Sequence, residues 1–326
     1  MTKNYFEVIR PGINATFQDL GRKNLYHIGI PFSGAMDKRN YLLANELAGN
    51  KVNSPVIEFA YQGPLLKFIG EKINFTITGD VKFKIIKKNK EEDGNCYQNY
   101  KLEDGDHLDI ISTYNSVYGY LAISGNYDVQ LQWNSCSINT KAQIGSNNGK
   151  ILEKKQKIII TETHSHESKK KLDHLNSKIE NIRVIKGTNY NYFSENSKKI
   201  FFNEEFTVTK LTDRMGMWLK GAKIENIVDT NIKSEGIVKG VIQVPTDGNP
   251  IVMLSDHGTI GGYPKIGVVI SSDYDKLVQL PPGSKIKFKE VELSDAELLF
   301  KLYQMETKNI ISKIKWTLFQ IYLDLY

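Results

Sequence analysis

Gly240 to Ile270 reads GVIQVPTDGNPIVMLSDHGTIGGYPKIGVVI, and this stretch decides the fold. A strand-like run (Val241–Val244) meets a turn at Thr246-Asp247-Gly248-Asn249-Pro250, and a second apolar run follows. The stretch then enters a glycine-rich loop ending in Gly261-Gly262-Tyr263-Pro264-Lys265 before a third β-rich run. Glycine admits a left-handed backbone and close approach of the main chain to another group. Proline fixes the exit of the turn and removes a donor. Two uses fit such a loop: a tight hairpin in an all-β protein, or one wall of a ligand site.

Working outward, the rest of the chain keeps the β character. Residues 4–10 alternate as a strand that Pro11-Gly12 ends. A helix is expected from Asp37 to Ala48. Asp37 caps it, Tyr41, Leu42, Ala44 and Leu47 form its stripe, and Gly49-Asn50 stops it. Short runs follow at 65–69, 73–78, 81–87, 107–111 and 119–124, separated by Gly63-Pro64, Gly79-Asp80 and Asp104-Gly105. After a polar stretch at 163–178 the pattern restarts at 182–185. It continues through 200–202, 205–210, 241–244, 251–254, 266–270 and 285–289. LEDGDHLDI in the first half and LPPGSKIKF in the second are alike as turn-then-strand elements, which hints at paired domains. The C-terminus reads as helix, with a capping box at Ser294-Asp295-Ala296-Glu297. Its end, WTLFQIYLDLY, is apolar on more than one face and is expected to be buried.

With 326 residues the chain suits two domains, divided here as 1–170 and 171–326. A net charge of +6 is small beside 43 basic and 37 acidic residues, so nucleic acid is not an expected partner. Only five of the basic residues are arginine (Arg10, Arg22, Arg39, Arg183, Arg214), so each arginine marks a candidate bidentate contact. Two cysteines, Cys96 and Cys136, make neither a disulfide framework nor a zinc set. The N-terminus lacks a signal-peptide core, and no run reaches the roughly 20 apolar residues of a membrane helix. The expectation is a cytoplasmic protein with no membrane partner.

The standard catalytic motifs are absent. Gly145 to Lys150 has three residues between its glycines, and Ile151 stands where a phosphate loop needs Ser or Thr, so it reads as a turn. His164, His166 and His174 lie in the polar stretch and have no acidic or cysteine partner at ligand spacing, so no metal site is expected. His27 and His257 sit beside glycine-rich loops and are candidate acid–base groups or structural hydrogen-bonding groups. Three segments carry dense chemistry: Gln18-Asp19-Leu20-Gly21-Arg22; Ser33 to Asp37, leading to Asn45, Asn50 and Glu58; and Thr212-Asp213-Arg214-Met215-Gly216. Each sets carboxylates near an arginine or amide beside glycine. That suits either an anionic or amide-bearing ligand or a buried structural network.

Taken together, TFQDLGRKNLYHIGIPFSGAMDKRNYLLANELAGN, VIEFAYQGPLLKF, LTDRMGMWLKG, the 235–270 segment and LVQLPPGSKIKF resemble one family. It is the family of the 5-oxoprolinase C subunit, KipA and allophanate hydrolase subunit 2, the biotin-dependent carboxyltransferase-like proteins. The resemblance implies a mainly β protein of two tandem cyclophilin-like β-barrel domains with a few short helices and a C-terminal helix. It implies a component of a heteromeric ATP-dependent amidohydrolase that opens 5-oxoproline to glutamate. The partners would be a B-type (KipI-like) sister subunit and an A-type one. Two alternatives come with the family: a carboxyltransferase component of a urea carboxylase system, and a regulatory antagonist of a sister kinase-inhibitor subunit. ATP, with Mg2+ held by the complex, is the expected cofactor. Biotin is not expected on this chain, which lacks a Met-Lys-Met carrier setting.

Under the resemblance, Asp19, Asp213, Arg214, Asp256 and Lys265 are the catalytic candidates. Lys265 and Arg214 would neutralise developing charge, and the Gly258–Gly262 backbone would face a phosphate. Gln18, Arg22, Ser33, Asp37, Asn45, Glu58, Gln243, Pro245, His257, Gly261, Gly262 and Tyr263 are the candidates for binding substrate or nucleotide. Four places depart from the family pattern: Ser124-Gly125-Asn126; Asn134-Ser135-Cys136-Ser137, with Cys136 where arginine is usual; Gly145-Ser146-Asn147-Asn148-Gly149-Lys150, where a Gly-Gly…Gly-Arg segment is usual; and Gly258 and Ile260 where glutamine and threonine are common.

Overall fold

The computed structural model describes residues 4–164, 171–173, 179, 181–229 and 231–323, with side chains in the last helix described as far as Ile314. The chain divides into two compact units. The first takes residues 1–22, 37–176 and 306–326, and the second takes 23–36 and 177–305. Three short segments, 23–36, 171–176 and 306–326, therefore belong with the unit on the other side of residue 170.

Among the described residues the first unit has two antiparallel sheets. The larger runs in the order Asn126–Tyr127, Lys157–Thr161, Tyr5–Arg10, Leu65–Ile69, His107–Thr113, Val81–Lys87, Lys90–Gly94. The smaller runs Thr16–Gln18, Val56–Ala60, Tyr118–Ile123, Lys72–Thr78, Asn99–Glu103. Alternation along the strands sends Phe6, Val8, Leu66, Phe68, Leu108 and Ile110 from the first sheet into one core. Phe17, Phe59, Phe75, Ile77, Leu121 and Ile123 reach it from the second.

The helix Lys38–Ala48 lies on the smaller sheet. Asp37 caps it by accepting from Asn40 N at 3.0 Å, and Gly49 ends it in the left-handed conformation. Thr78 Oγ1 donates to Asn40 O (2.8 Å) and Ser124 Oγ to Ala48 O (2.9 Å), so both ends of the helix are pinned to strands. The last helix, Leu293–Leu323, sets Ile314 against Leu43, Leu47 and Tyr97. Arg39 joins the same contact through Glu306 Oε2 (2.7 Å) and Thr307 Oγ1 (3.0 Å).

The second unit is a closed barrel in the order Asn181–Lys186, Lys265–Val269, Val241–Gln243, Ile251–Met253, Gly216–Lys220, Phe206–Val208, Lys285–Glu290. Parallel pairing of Asn181–Lys186 with Lys285–Glu290 closes it. Closure removes the exposed edges that an open sheet leaves. Arg183 fixes this seam. Its Nε donates to Asp273 Oδ2 at 2.9 Å and its Nη2 donates to Oδ1, while Asp273 is fully buried on the short helix Ser271–Leu277.

The two halves do share the element seen in the sequence. Gly105 and Gly283 both sit at positive φ (85° and 91°) just before a strand, where a side chain would be strained. Their amides donate to Phe68 O and Val208 O, each on the strand paired with the one that follows the glycine.

Two expectations are corrected. Residues 200–202 are the end of a helix, Glu195–Asn203, and not a strand. Ser194 caps that helix by accepting from Ser197 N at 3.1 Å, and a three-residue apolar run has no periodicity able to separate helix from strand. Ser294 is not a cap, because the last helix begins at Leu293 and Ala296 N already bonds Glu292 O at 3.0 Å. Most of the polar stretch 163–178, including His166 and His174, lies outside the described residues, as does the packing of the 316–326 side chains. No described helix is long and apolar enough to cross a membrane.

The helix correction has a measurable consequence. Phe201 is fully buried and stacks on Phe288 at 4.5 Å, with Phe206 beside both. Phe201→Ala is expected to lower unfolding free energy by about 3–5 kcal/mol in chemical denaturation. A loss below about 1 kcal/mol would mean that the ring is not in the barrel core.

Candidate functional site

The expected site residues fall into two sets. Gln18, Asp19, Arg22, Asp37, Asn45 and Glu58 belong to the first unit; Ser33 and the residues from Asp213 onward belong to the second.

In the first unit the set forms buried networks. Asp19 Oδ1 accepts from Gly21 N (2.8 Å), Ser135 Oγ (2.6 Å) and Ser137 Oγ (2.6 Å), and its Oδ2 accepts from Cys136 N (2.8 Å). One carboxylate thus holds the 135–137 loop. This is the loop with the cysteine in an arginine position, and the Cys136 thiol is pushed well up by burial and then by the Asp19 charge. Arg22, also buried, donates to Ser137 O and lies over Gly145, where a Cβ would come within 2.9 Å of its Nη2. Gly145 is needed there for close approach, which explains the near-miss phosphate motif. Gln18 Nε2 bonds Thr16 Oγ1 (3.0 Å) and Ile138 O (2.9 Å). Asn45 joins Ser54 O and Asn50. Asp37 N donates to Tyr120 Oη at 2.7 Å, and burial followed by the charges of Glu58 and Asp37 pushes the Tyr120 hydroxyl well up.

In the second unit the set surrounds two loops beside the barrel. Arg214 Nε and Nη2 fork onto Asp256 at 2.8 and 3.1 Å, and Nη2 also donates to Gly34 O at 2.7 Å. Both partners are buried, so the pair is desolvated and its geometry is fixed. Asp213 does not face this fork. Its Oδ1 accepts from Met215 N and Gly216 N, which makes it the cap of the turn that presents Arg214. Ser33, at φ 54°, donates its amide to Ser255 O at 3.1 Å.

His257 follows Asp256 and is buried. Its Nδ1 donates to Gly258 O (2.5 Å), because a carbonyl can only accept, and Nε2 lies 2.9 Å from Tyr26 Oη. Tyr26 Oη also reaches Ile237 O at 2.7 Å. In a neutral ring the single tyrosine proton serves two acceptors. Burial, the main cause, holds the His257 pKa below 6.5 and keeps the ring neutral. His27, the other histidine candidate, is exposed; its neighbour Tyr26 makes the contact.

Lys265 and Gln243 stand opposite each other on paired strands and are both buried. Lys265 Nζ donates to Asn189 Oδ1 (3.1 Å) and Glu235 Oε2 (2.5 Å). Gln243 Nε2 donates to Tyr263 O at 3.1 Å. The glycine loop continues as Ile260–Gly261, paired with Glu235–Gly236 in a two-stranded ribbon. Gly261 and Gly262 are absent from the left-handed glycines. Gly261 is required for space instead: a Cβ would lie 2.3 Å from Ile237 Cδ1 and 2.6 Å from Gln243 Nε2. Pro245 is half-buried and accepts from Gly248 N in the turn before Ile251–Met253.

Chemically, the second set offers a buried ammonium, two side-chain amides and a neutral histidine–tyrosine pair. It suits a small molecule carrying a carboxylate and an amide. Both cations hold carboxylates of this chain, Arg214 that of Asp256 and Lys265 that of Glu235. Among the described residues no group of three His, Cys, Asp or Glu could hold a metal ion. Glu235, Asn189 and Tyr26 were missed by sequence reasoning. Glu235 sits in the polar run KSEG, where nothing marks it as the partner of a lysine 30 residues away.

The His257 environment predicts a pH dependence. Its folded pKa is lowered from 6.5, so the unfolded chain takes up the proton first and stability falls as pH drops through 6.5. The stability difference between wild type and His257→Gln is expected to shrink as pH falls from about 7.5 to about 5. Parallel pH profiles for the two proteins would contradict this.

Residues 28–290 match the model of the carboxyltransferase domain, subdomains A and B. The chain is 34% identical over 285 residues to the 5-oxoprolinase C subunit of Haemophilus influenzae, covering 87% of this chain and 91% of that protein. It is 29% identical over 299 residues to the 5-oxoprolinase C subunit of Escherichia coli, covering 89% of this chain and 92% of that protein. The crystal structure of Kluyveromyces lactis urea carboxylase superposes with a TM-score of 0.85 at 26% identity, over 95% of this chain but 29% of that one. With a family model spanning most of its length and a relative at 34% identity, this chain belongs to the carboxyltransferase domain A and B family.

Proposed function

We propose that the chain is the C-type component of a heteromeric, ATP-dependent 5-oxoprolinase that opens the lactam of 5-oxoproline to give glutamate. The observation that carries this reading is the match to two proteins named as the C-type component of 5-oxoprolinase, over nine-tenths of their length. The second unit supports it. 5-oxoproline carries one carboxylate and one cyclic amide, and the barrel-side set holds a buried lysine beside the Gln243 and Asn189 amides. Lactam opening is uphill near neutral pH, and phosphorylation of the amide oxygen gives a better leaving group. In this reading the nucleotide belongs with a sister subunit, since Arg214 is clamped onto Asp256 inside this chain. The complex works in the cytoplasm.

A second reading has equal standing in the comparisons. The family description is a carboxyltransferase domain, and the urea carboxylase structure contains this fold. There the chain would accept a carboxyl group from biotin carried on another polypeptide and pass it to a small amide.

Reconstitution separates the two. The chain is mixed with its B-type and A-type sister subunits, and glutamate formation from 5-oxoproline and ATP is measured. Turnover that disappears when this chain is omitted is the expected result. An intact complex without turnover, together with carboxylation of urea in the presence of a biotin carrier protein, would favour the second reading instead.

A further inference from the structure

The Lys265 side chain is 4% exposed, and the carboxylate it holds, Glu235, is 45% exposed. A buried ammonium requires an anion close by, because its desolvation is costly. The anion here is not part of the barrel. Glu235 sits on the two-stranded ribbon, whose pairing is Glu235 with Gly261 and Gly236 with Ile260. Asn189 and the barrel strand fix the lysine from below: Asn189 Oδ1 accepts from both the backbone amide and the Nζ of Lys265, each at 3.1 Å. The ammonium is therefore rigidly held while its counter-ion is on a half-exposed arm. Around Gly236 a Cβ would meet nothing within 4 Å, so the ribbon is open to solvent beside Glu235 while its backbone stays paired. Gln243 faces the same position from the adjoining strand, and its amide is already within 2.6 Å of where a Gly261 side chain would begin.

We propose that Lys265 is the anchor for the carboxylate of a small-molecule ligand, and that Glu235 is a built-in stand-in carboxylate which the ligand displaces. The half-exposed Glu235 side chain rotates outward from the paired ribbon, the ligand carboxylate takes its place on Nζ, and the buried lysine keeps a counter-ion. The exchange replaces one carboxylate by another, so selectivity comes from the rest of the ligand meeting Gln243 and Asn189. Identification of the ligand with 5-oxoproline rests on the proposed function; the displacement itself does not.

The test uses the full chain, with ligand-detected NMR titration of 5-oxoproline, of acetate as a bare carboxylate, and of 2-pyrrolidinone, the lactam without a carboxylate. Glu235→Gln removes the competitor and leaves Lys265 bonded to Asn189, and far-UV circular dichroism of the variant checks that the fold is kept before titration. If the closed arm is populated about 90% of the time, the variant binds 5-oxoproline about tenfold tighter than wild type. Acetate tightens by a similar factor and 2-pyrrolidinone does not change. Lys265→Met abolishes the difference between the lactams with and without carboxylate. Equal affinity of wild type and Glu235→Gln for both carboxylates, or no binding of either carboxylate by Glu235→Gln, overturns the proposal. So does equal tightening for 2-pyrrolidinone. Tightening for acetate combined with failure of glutamate formation in the reconstituted complex keeps the anchor and removes the 5-oxoprolinase reading.

Discussion

The fork of Arg214 onto Asp256 is the constraint on which the second unit's loops depend. The backbone extends the Gly216–Lys220 and Ile251–Met253 ladder beyond its strands: Leu254 N bonds Met215 O, and Asp256 N bonds Arg214 O, both at 2.9 Å. The side chains then lock the same two residues together, and Nη2 of the guanidinium also donates to the Gly34 carbonyl. Ser33 N on Ser255 O completes a strap of residues 33–34 against the 254–257 loop. His257 is the next residue along, and its contact with Tyr26 carries the order on to Ile237. Ile237 in turn fills the space that makes Gly261 obligatory. The chain of contacts thus runs from one buried ion pair to the ribbon that carries Glu235.

This changes what the arginine is for. A scarce arginine beside glycine reads as a ligand contact or as part of a buried network, and in the structure Arg214 clamps Asp256 and the Gly34 carbonyl within the protein. The same holds for Asp19, whose two oxygens collect four donors from its own neighbourhood. Full hydrogen bonding of a buried carboxylate is what low local dielectric demands. The residue types that build a ligand site are also those that build such knots.

Much of the fold was legible. Strands at Leu65–Ile69 and Val81–Lys87 have the bounds that alternation and turn residues gave them, and the helix after Asp37 starts and stops where its cap and Gly49 say. Residues 200–202 were not legible, because Phe201 enters the barrel from a helix whose only local signal is the Ser194 cap. The crossing of segment 23–36 into the second unit was also hidden, since it depends on partners such as His257 more than 200 residues away. In the candidate site, Lys265, Gln243 and His257 were named from the glycine-rich stretch that they border, and the structure shows them buried there. Their partners Asn189, Glu235 and Tyr26 were not, because ordinary polar residues become specific only through tertiary contact. The glycines themselves were flagged correctly and explained differently: Gly261 is there because two side chains leave no space for a Cβ, and not to turn the chain.

The central claim, that the fork organises the second unit, is tested most directly by a double-mutant cycle on Arg214→Met and Asp256→Asn, read by chemical denaturation of the full chain. If it holds, the two residues are coupled by about 3 kcal/mol, and the double variant is little worse than either single one. Additive losses, with coupling below about 0.5 kcal/mol, would contradict it.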